Sequence, residues 1–392
     1  MTVRMNLDLE HNVVEAVLDQ FDKLKYRPAH PPGGKRRDWT CLAGIVLEDR
    51  DRRTFDCVAI GTGLKCLNES SASSTTVNDS HAEVICRRSF CCFLYQEIAR
   101  ACGSASKYVQ RVDGSPTFRL GPHIRVHLYI SQSPCGDASL DALAEQQADD
   151  AEAHAQRTEH KRDQYGHETG ALRGRNLFDR LGVLRTKPGR HDAIPTRSMS
   201  CSDKIAQWQC LGLQGALLSR LVPDPVTFAL IIVGDLFDPV GLERALVQRC
   251  QPALLTVPHV APAPYAFEYS SRVLSESVPP SVLVVSAPHA MSWWRGCDTP
   301  EYLVNGRRQG AAMGKDGTFG PKTWSRISKP RMFELFRSTA ATAGADGLPR
   351  RYLDAKEQST AYQAVKRDLR QQHPVFAHWV GNDAKIVDDL VV

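Results

Sequence analysis

The sequence predicts an α/β fold, a sheet core with added helical cover at the C-terminal end. Three observations predict it. Short runs alternate apolar and polar residues at period two, runs of helical spacing separate them, and helical spacing dominates the last ~70 residues. The chain has 392 residues, 42% hydrophobic and 24% charged, which excludes a wholly disordered chain. Length permits one large or two modest domains, and the continuous alternation of elements favours one integrated domain over 1–392.

The elements follow in order. Val13, Val14, Val17, Leu18, Phe21 and Leu24 form one helical stripe over 12–24. Strands are expected over 39–47 and 55–60, then a helix over about 82–101. At 124–130, Ile124, Val126, Leu128 and Ile130 face one way and Arg125, His127 and Tyr129 the other, the pattern of a strand. From about 143 to 197 the chain turns polar, which reads as a long insertion or mobile loop. A helix over 202–221, a strand over 228–233, a helix near 240–250 and a strand over 282–286 follow, before helices around 324–339 and 351–371.

No run approaches the ~18 apolar residues of a membrane span, and the N-terminus is not that of a secretory signal. With 49 basic and 44 acidic residues the net charge is +5. That excludes a strongly basic nucleic-acid sponge but not a shaped RNA-binding surface. Twelve cysteines without a C-x-x-C pair or a signal peptide indicate a reducing compartment and small core residues. Only Cys135 and Cys201 have unusual neighbours.

Three short elements carry chemistry: His81-Ala82-Glu83 heading the apolar helix, Pro134-Cys135-Gly136-Asp137 after the strand, and Ser200-Cys201-Ser202-Asp203-Lys204 opening the next helix. Alone, the first is ordinarily a helix start and the second a turn with a buried thiol. Together they supply one imidazole, two thiolates and a free carboxylate, the donor set of a catalytic zinc with water in the fourth position. Within a regular helix His81 and Glu83 would lie about 200° apart; at a helix N-terminus both can converge on one pocket. Nucleobase deaminases share the pattern H-x-E…P-C-x-x-C, with the glutamate shuttling protons. Here position 138 is alanine, so Cys201 must replace the usual third ligand.

A second constellation is basic. The helix from Ala82 is apolar around its whole circumference and therefore buried, yet it carries Arg87 and Arg88. Lys204 shares a stripe with Trp208, Leu211 and Gly215 in the next helix, and no acidic cluster lies nearby in sequence. In the last predicted helix Tyr352, Lys356, Ser359, Tyr362, Gln363 and Lys366 fall within an arc of about 120°. Buried cations demand a partner, and a shared internal anion would supply it.

The three blocks, extended by Leu211-Gly212-Leu213-Gln214-Gly215-Ala216, resemble the signature blocks of the adenosine deaminases acting on RNA, and the resemblance runs from about 13 to about 380. With no room for double-stranded-RNA-binding modules, the chain is most similar to the tRNA-specific branch. The resemblance implies a cytidine-deaminase-like three-layer sheet core in a single editase domain. It implies one catalytic zinc on His81, Cys135 and Cys201, with Glu83 as proton shuttle. The implied reaction is deamination of adenosine to inosine in tRNA, at the adenosine immediately 3′ of the anticodon (position 37) of alanine tRNA. It further implies a buried inositol hexakisphosphate held by Asn78, Arg87, Arg88, Lys204, Trp208, Gln214, Lys329, Tyr352, Lys356, Tyr362, Lys366 and Trp379. Lys65 becomes a candidate phosphate contact, with Arg173, Arg175 and Arg197 as further basic residues for the tRNA. The expected setting is intracellular, in the nucleus or cytoplasm of a eukaryote, with no membrane, DNA or obligate protein partner.

Departures from the duplex-editing relatives are informative. Arg190-His191-Asp192-Ala193-Ile194-Pro195 lacks the glutamate that fills the gap left by a flipped base, Ser139 stands for an arginine, and Leu64 for a threonine. These losses suit a base already exposed in a loop. In the basic constellation Gln207 stands for an arginine, and Gly381-Asn382 for an acidic and a basic residue. An editor of double-stranded mRNA, a catalytically silent zinc-stabilised RNA-binding protein and a cytidine deaminase remain alternatives.

Overall fold

A computed structural model of the chain describes residues 2–30, 32–141, 170–175, 180–189, 194 and 196–381. Its centre is an eight-stranded mixed sheet. The strand order is His259–Pro262, Leu230–Asp235, Ile124–Gln132, Leu42–Asp49, Thr54–Thr62, Ala290–Trp294, Glu301–Val304 and Arg307–Arg308. The first three strands run parallel, and every later neighbour is antiparallel. Among the described residues no helix is long and apolar enough to cross a membrane.

Period-two alternation divides the strands between two apolar cores. Ile124, Val126, Leu128 and Ile130 join Ala43, Ile45 and Ile231 against the helix Ala82–Gly103, whose Ile85, Phe90 and Leu94 are wholly buried. On the other face Leu42, Val46, Tyr129, Leu230 and Ile232 pack against Val13, Val14, Val17 and Phe21 of the helix Thr2–Lys23. Both faces are thus covered. That is why Tyr129 and His127, on the polar side of the sequence pattern, are buried, with His127 Nε2 bonded to Glu48 Oε2 at 3.0 Å. The helix Ala82–Gly103 crosses the sheet at Gly61, where a Cβ would overlap the Ala82 carbonyl and the Cys86 amide. Such an approach requires glycine, and it seats the head of the helix at the sheet.

Several expected elements are cut shorter. The first strand run divides: Arg36–Trp39 pairs in parallel with Leu283–Ser286 outside the main sheet, and only Leu42–Asp49 enters it. The helix expected over 202–221 stops at Leu211, because Gly212 at φ +87° and Gly215 at φ +66° turn the chain before a short helix, Gly215–Leu218. The long C-terminal helix is two, Tyr352–Glu357 and Thr360–Gln372, broken where the Ser359 hydroxyl bonds the Ala216 carbonyl. The 120° arc therefore does not exist as one helical face.

Within the polar insertion, 142–169, 176–179, 190–193 and 195 lie outside the described residues, including most of the 190–195 stretch. The described remainder is not a loose loop. Leu172–Arg173 pairs in parallel with Arg185–Thr186, and wholly buried Arg185 donates to the carbonyls of Gly174 at 3.1 Å and Arg180 at 2.7 Å.

Candidate active site

The three chemical elements meet where the helix Ala82–Gly103 and the helix Cys201–Leu211 begin. A short strand, Asp79–His81, pairs with Leu64–Cys66 and delivers His81 as the N-cap, in extended conformation, with Glu83 in the first turn. Convergence at a helix N-terminus therefore holds. Cys135 follows the strand Ile124–Gln132, and Gly136 at φ +107° lies so close that a Cβ would overlap the Ser200 hydroxyl. This contact clamps the Cys135 turn to the helix start. The Cys201 amide donates to Cys135 Sγ at 3.3 Å and the Ser202 amide to the Cys135 carbonyl at 3.0 Å.

Burial and charge set the protonation of the cluster. Glu83 is buried, and desolvation, reinforced by Cys135, pushes its carboxyl above the usual range against the pull of His81 and Lys187. A hydrogen bond from Cys201, assisted by Lys187 and His81, holds the Cys135 thiol well below its ordinary value. Burial and the neighbouring Cys135 push the Cys201 thiol up. As these side chains stand, no group of three or more His, Cys, Asp and Glu among the described residues is arranged to hold a metal ion. The donor chemistry nevertheless fits one. His81 Nδ1 is bonded to Asp79 Oδ1 at 2.8 Å, which leaves Nε2 for a metal, and a cation would favour the two neighbouring sulfurs as thiolates.

The sequence reading missed Asp79, Lys187 and Ser198. Asp79 accepts from Lys187 Nζ at 2.7 Å, from Ser198 Oγ at 2.8 Å and from Lys204 Nζ, while Lys187 Nζ also reaches Cys201 Sγ at 3.1 Å. Burial alone would raise the Asp79 carboxyl, but Lys187 and Lys204 outweigh it and hold it well below the carboxylate range. Lys204 is therefore not a cation lacking an acidic neighbour. The acid lies two residues before His81, a spacing that could have flagged it. Lys187, 2% exposed, comes from the insertion, and nothing in its local sequence signals the role.

An adenosine-deaminase (editase) domain model matches residues 59–383. The tRNA-specific adenosine deaminase 1 of Drosophila melanogaster is 31% identical over 96% of this chain and 95% of its own length. The chain belongs to the adenosine-deaminase (editase) family. It is a hydrolytic adenosine-to-inosine deaminase. The tRNA-specific adenosine deaminase 1 of Saccharomyces cerevisiae is 29% identical over 84% of this chain and 83% of its own, and the double-stranded RNA-specific editase Adar of Drosophila melanogaster is 30% identical over 67% and 39%.

Beside the catalytic cluster this deaminase holds a basic cavity in two adjoining lobes of about 290 and 190 Å³. Both are lined by Arg87, Arg88 and Lys329. The larger adds Asn78, Lys204, Trp208 and Trp379; the smaller adds Gln214, Tyr352, Lys356, Tyr362 and Lys366. Each of the twelve residues that the resemblance implies thus lines one lobe or the other. Gln214 spends its side-chain amide on backbone groups of Val222, Asp224 and Val226. Among the described residues no acidic side chain lines the smaller lobe, and the two that line the larger are engaged, Asp79 as above and Glu69 with Arg197 at 3.1 Å. Burial, with Arg88 and Lys356, lowers Lys329 to about 8; burial, with Lys356 and Arg370, lowers Lys366 to about 8. Arg87 Nε is buried without a partner. Such a cluster fits a polyanion.

The candidate RNA contacts differ in exposure and pairing. Lys65 is exposed with Nζ on Ser286 Oγ at 2.8 Å, and Arg197 is paired with Glu69. Arg173 is half-buried, and Arg175 is half-buried within electrostatic reach of Cys135.

Proposed function

We propose that the chain is a zinc-dependent deaminase acting on tRNA, converting the adenosine 3′ of the anticodon in alanine tRNA to inosine. The observation that carries this reading is the buried Glu83 carboxyl beside one imidazole and two sulfurs, because a structural metal site has no use for a non-ligand carboxylate. Zinc on His81, Cys135 and Cys201 would bring the pKa of a bound water toward ~7. Glu83, its carboxyl pushed above the usual range by burial, takes a proton from the attacking water and passes it to the departing amine. Asp79 orients the His81 ring, and Lys187 ties Asp79 to Cys201.

The parallel strands, with helices on both sheet faces, support a cytidine-deaminase-like three-layer core. Inositol hexakisphosphate is the occupant whose charge suits the cavity. The tRNA reading is supported by end-to-end similarity to a relative named for tRNA, against 39% coverage of the duplex editase. Intact alanine tRNA, its isolated anticodon stem-loop and a long perfect RNA duplex, assayed side by side for inosine, test it. The intact tRNA should be converted next to its anticodon with a steep loss as salt rises, the stem-loop poorly and the duplex hardly at all. Preference for the duplex would move the enzyme to the mRNA-editing class.

A further inference from the structure

We propose that Arg370 is a polyanion-binding residue of the basic cavity, supplying from the last helix the positive charge that Gln207 does not. The proposal rests on the polyanion reading of that cavity. Gln207 lines the larger lobe with Lys204 and Trp208, at the position where the resemblance implies arginine.

Arg370 lies four residues beyond Lys366 and eight beyond Tyr362 on the helix Thr360–Gln372, a spacing that keeps all three on one stripe. Lys366 and Tyr362 both line the smaller lobe. The Arg370 guanidinium stacks on Trp379, 3.7 Å from the ring centroid, and Trp379 lines the larger lobe together with Gln207. Arg370 also lies within electrostatic reach of Asp203, one helical turn before Gln207. The side chain therefore stands behind Trp379 at the edge of the larger lobe, next to the residues that line the cavity rather than among them.

Asp203 does not neutralise it. That carboxylate is taken by Arg249 at 2.7 Å and by the Arg185 amide at 2.8 Å. Arg370 Nε is buried without a hydrogen-bond partner, and among the described residues no ion pair reaches the guanidinium. Burial lowers the Arg370 pKa to about 9. Stacking on tryptophan fixes the plane of the guanidinium and leaves its N–H edge for a bidentate acceptor such as two oxygens of a phosphate.

The test compares wild type, Arg370→Gln, Gln207→Arg and the double variant, each purified from a eukaryotic host that makes inositol polyphosphates. Two quantities are read: hexakisphosphate per chain by mass spectrometry after a mild urea wash, and the thermal midpoint. Wild type should retain about one per chain, Arg370→Gln should lose it about tenfold more readily, as expected for a missing charge-assisted hydrogen bond, and Gln207→Arg should restore retention in the double variant. If Arg370→Gln proves insoluble, recovery of soluble, phosphate-bearing protein in the double variant supports the proposal, and continued insolubility overturns it. Full retention by Arg370→Gln, or a lowered midpoint that Gln207→Arg leaves uncorrected, would reduce Arg370 to a stacking contact and leave the cavity reading intact. Wild type without bound polyphosphate overturns both.

Discussion

The catalytic cluster and the basic cavity lie side by side, and both are built from buried ionisable groups, but they balance charge differently. In the catalytic cluster the charges pair within the chain, Glu83 apart: His81 with Asp79, Asp79 with Lys187 and Lys204, and Cys201 with Lys187. In the smaller lobe of the cavity Arg87, Arg88, Lys329, Lys356 and Lys366 lie together, and among the described residues that line it none is acidic. The first arrangement balances its charges largely within the chain; the second is a concentration of cations that fits an anion. Lys204 belongs to both, since it lines the cavity and bonds Asp79. The lesson is that a buried cation signals a ligand only when the acids that lie nearby in space, rather than in sequence, have been counted.

The largest expected break is at the catalytic side. Cys201→Ala removes one sulfur and the acceptor of Lys187, so purified protein should lose its zinc and all deaminase activity, read by metal analysis. Full zinc occupancy in that variant would reopen the identity of the third ligand. Next comes the shared residue. Lys204→Ala strips a cation from the cavity and a partner from Asp79 and should lower both soluble yield and thermal midpoint. Unchanged thermal stability would make the cavity a mere basic surface.

The smallest effect is a pH dependence. Lys329 and Lys366 fall from 10.5 to about 8 in the fold. Between about pH 8 and 10 the unfolded chain therefore binds more protons than the folded one, and stability rises with pH across that window. The penalty is complete below pH 8. Protein freed of polyphosphate should thus gain thermal midpoint from pH 7.5 to 9.5, whereas loaded protein, its lysines met by phosphate, should not. Equal pH profiles for the two would dissolve the contrast between the regions.

What the sequence made legible follows this division. Strong periodicity placed the helix Ala82–Gly103 and the strand Ile124–Gln132 to within two residues, because a buried face constrains every second or every third to fourth position. Local chemistry placed His81, Glu83, Cys135 and Cys201 together, since each sits at the end of such an element. Breaks set by tertiary contact were hidden: Ser359 leaves its helix for the Ala216 carbonyl, a residue 143 positions away. Lys187 was hidden for the same reason. Its position is fixed by Asp79 and Cys201, not by anything in the polar stretch that contains it.

The central claim is that Glu83 carries the proton in a hydrolytic deamination at this cluster. Wild type and Glu83→Gln, both with zinc content measured, are incubated with intact alanine tRNA in ¹⁸O-labelled water. The account predicts that wild type forms inosine next to the anticodon with one solvent oxygen at O6, and that the variant, equally loaded with zinc, is slower by on the order of 10²–10⁴-fold. Inosine without label, or comparable turnover by the two proteins, would contradict it.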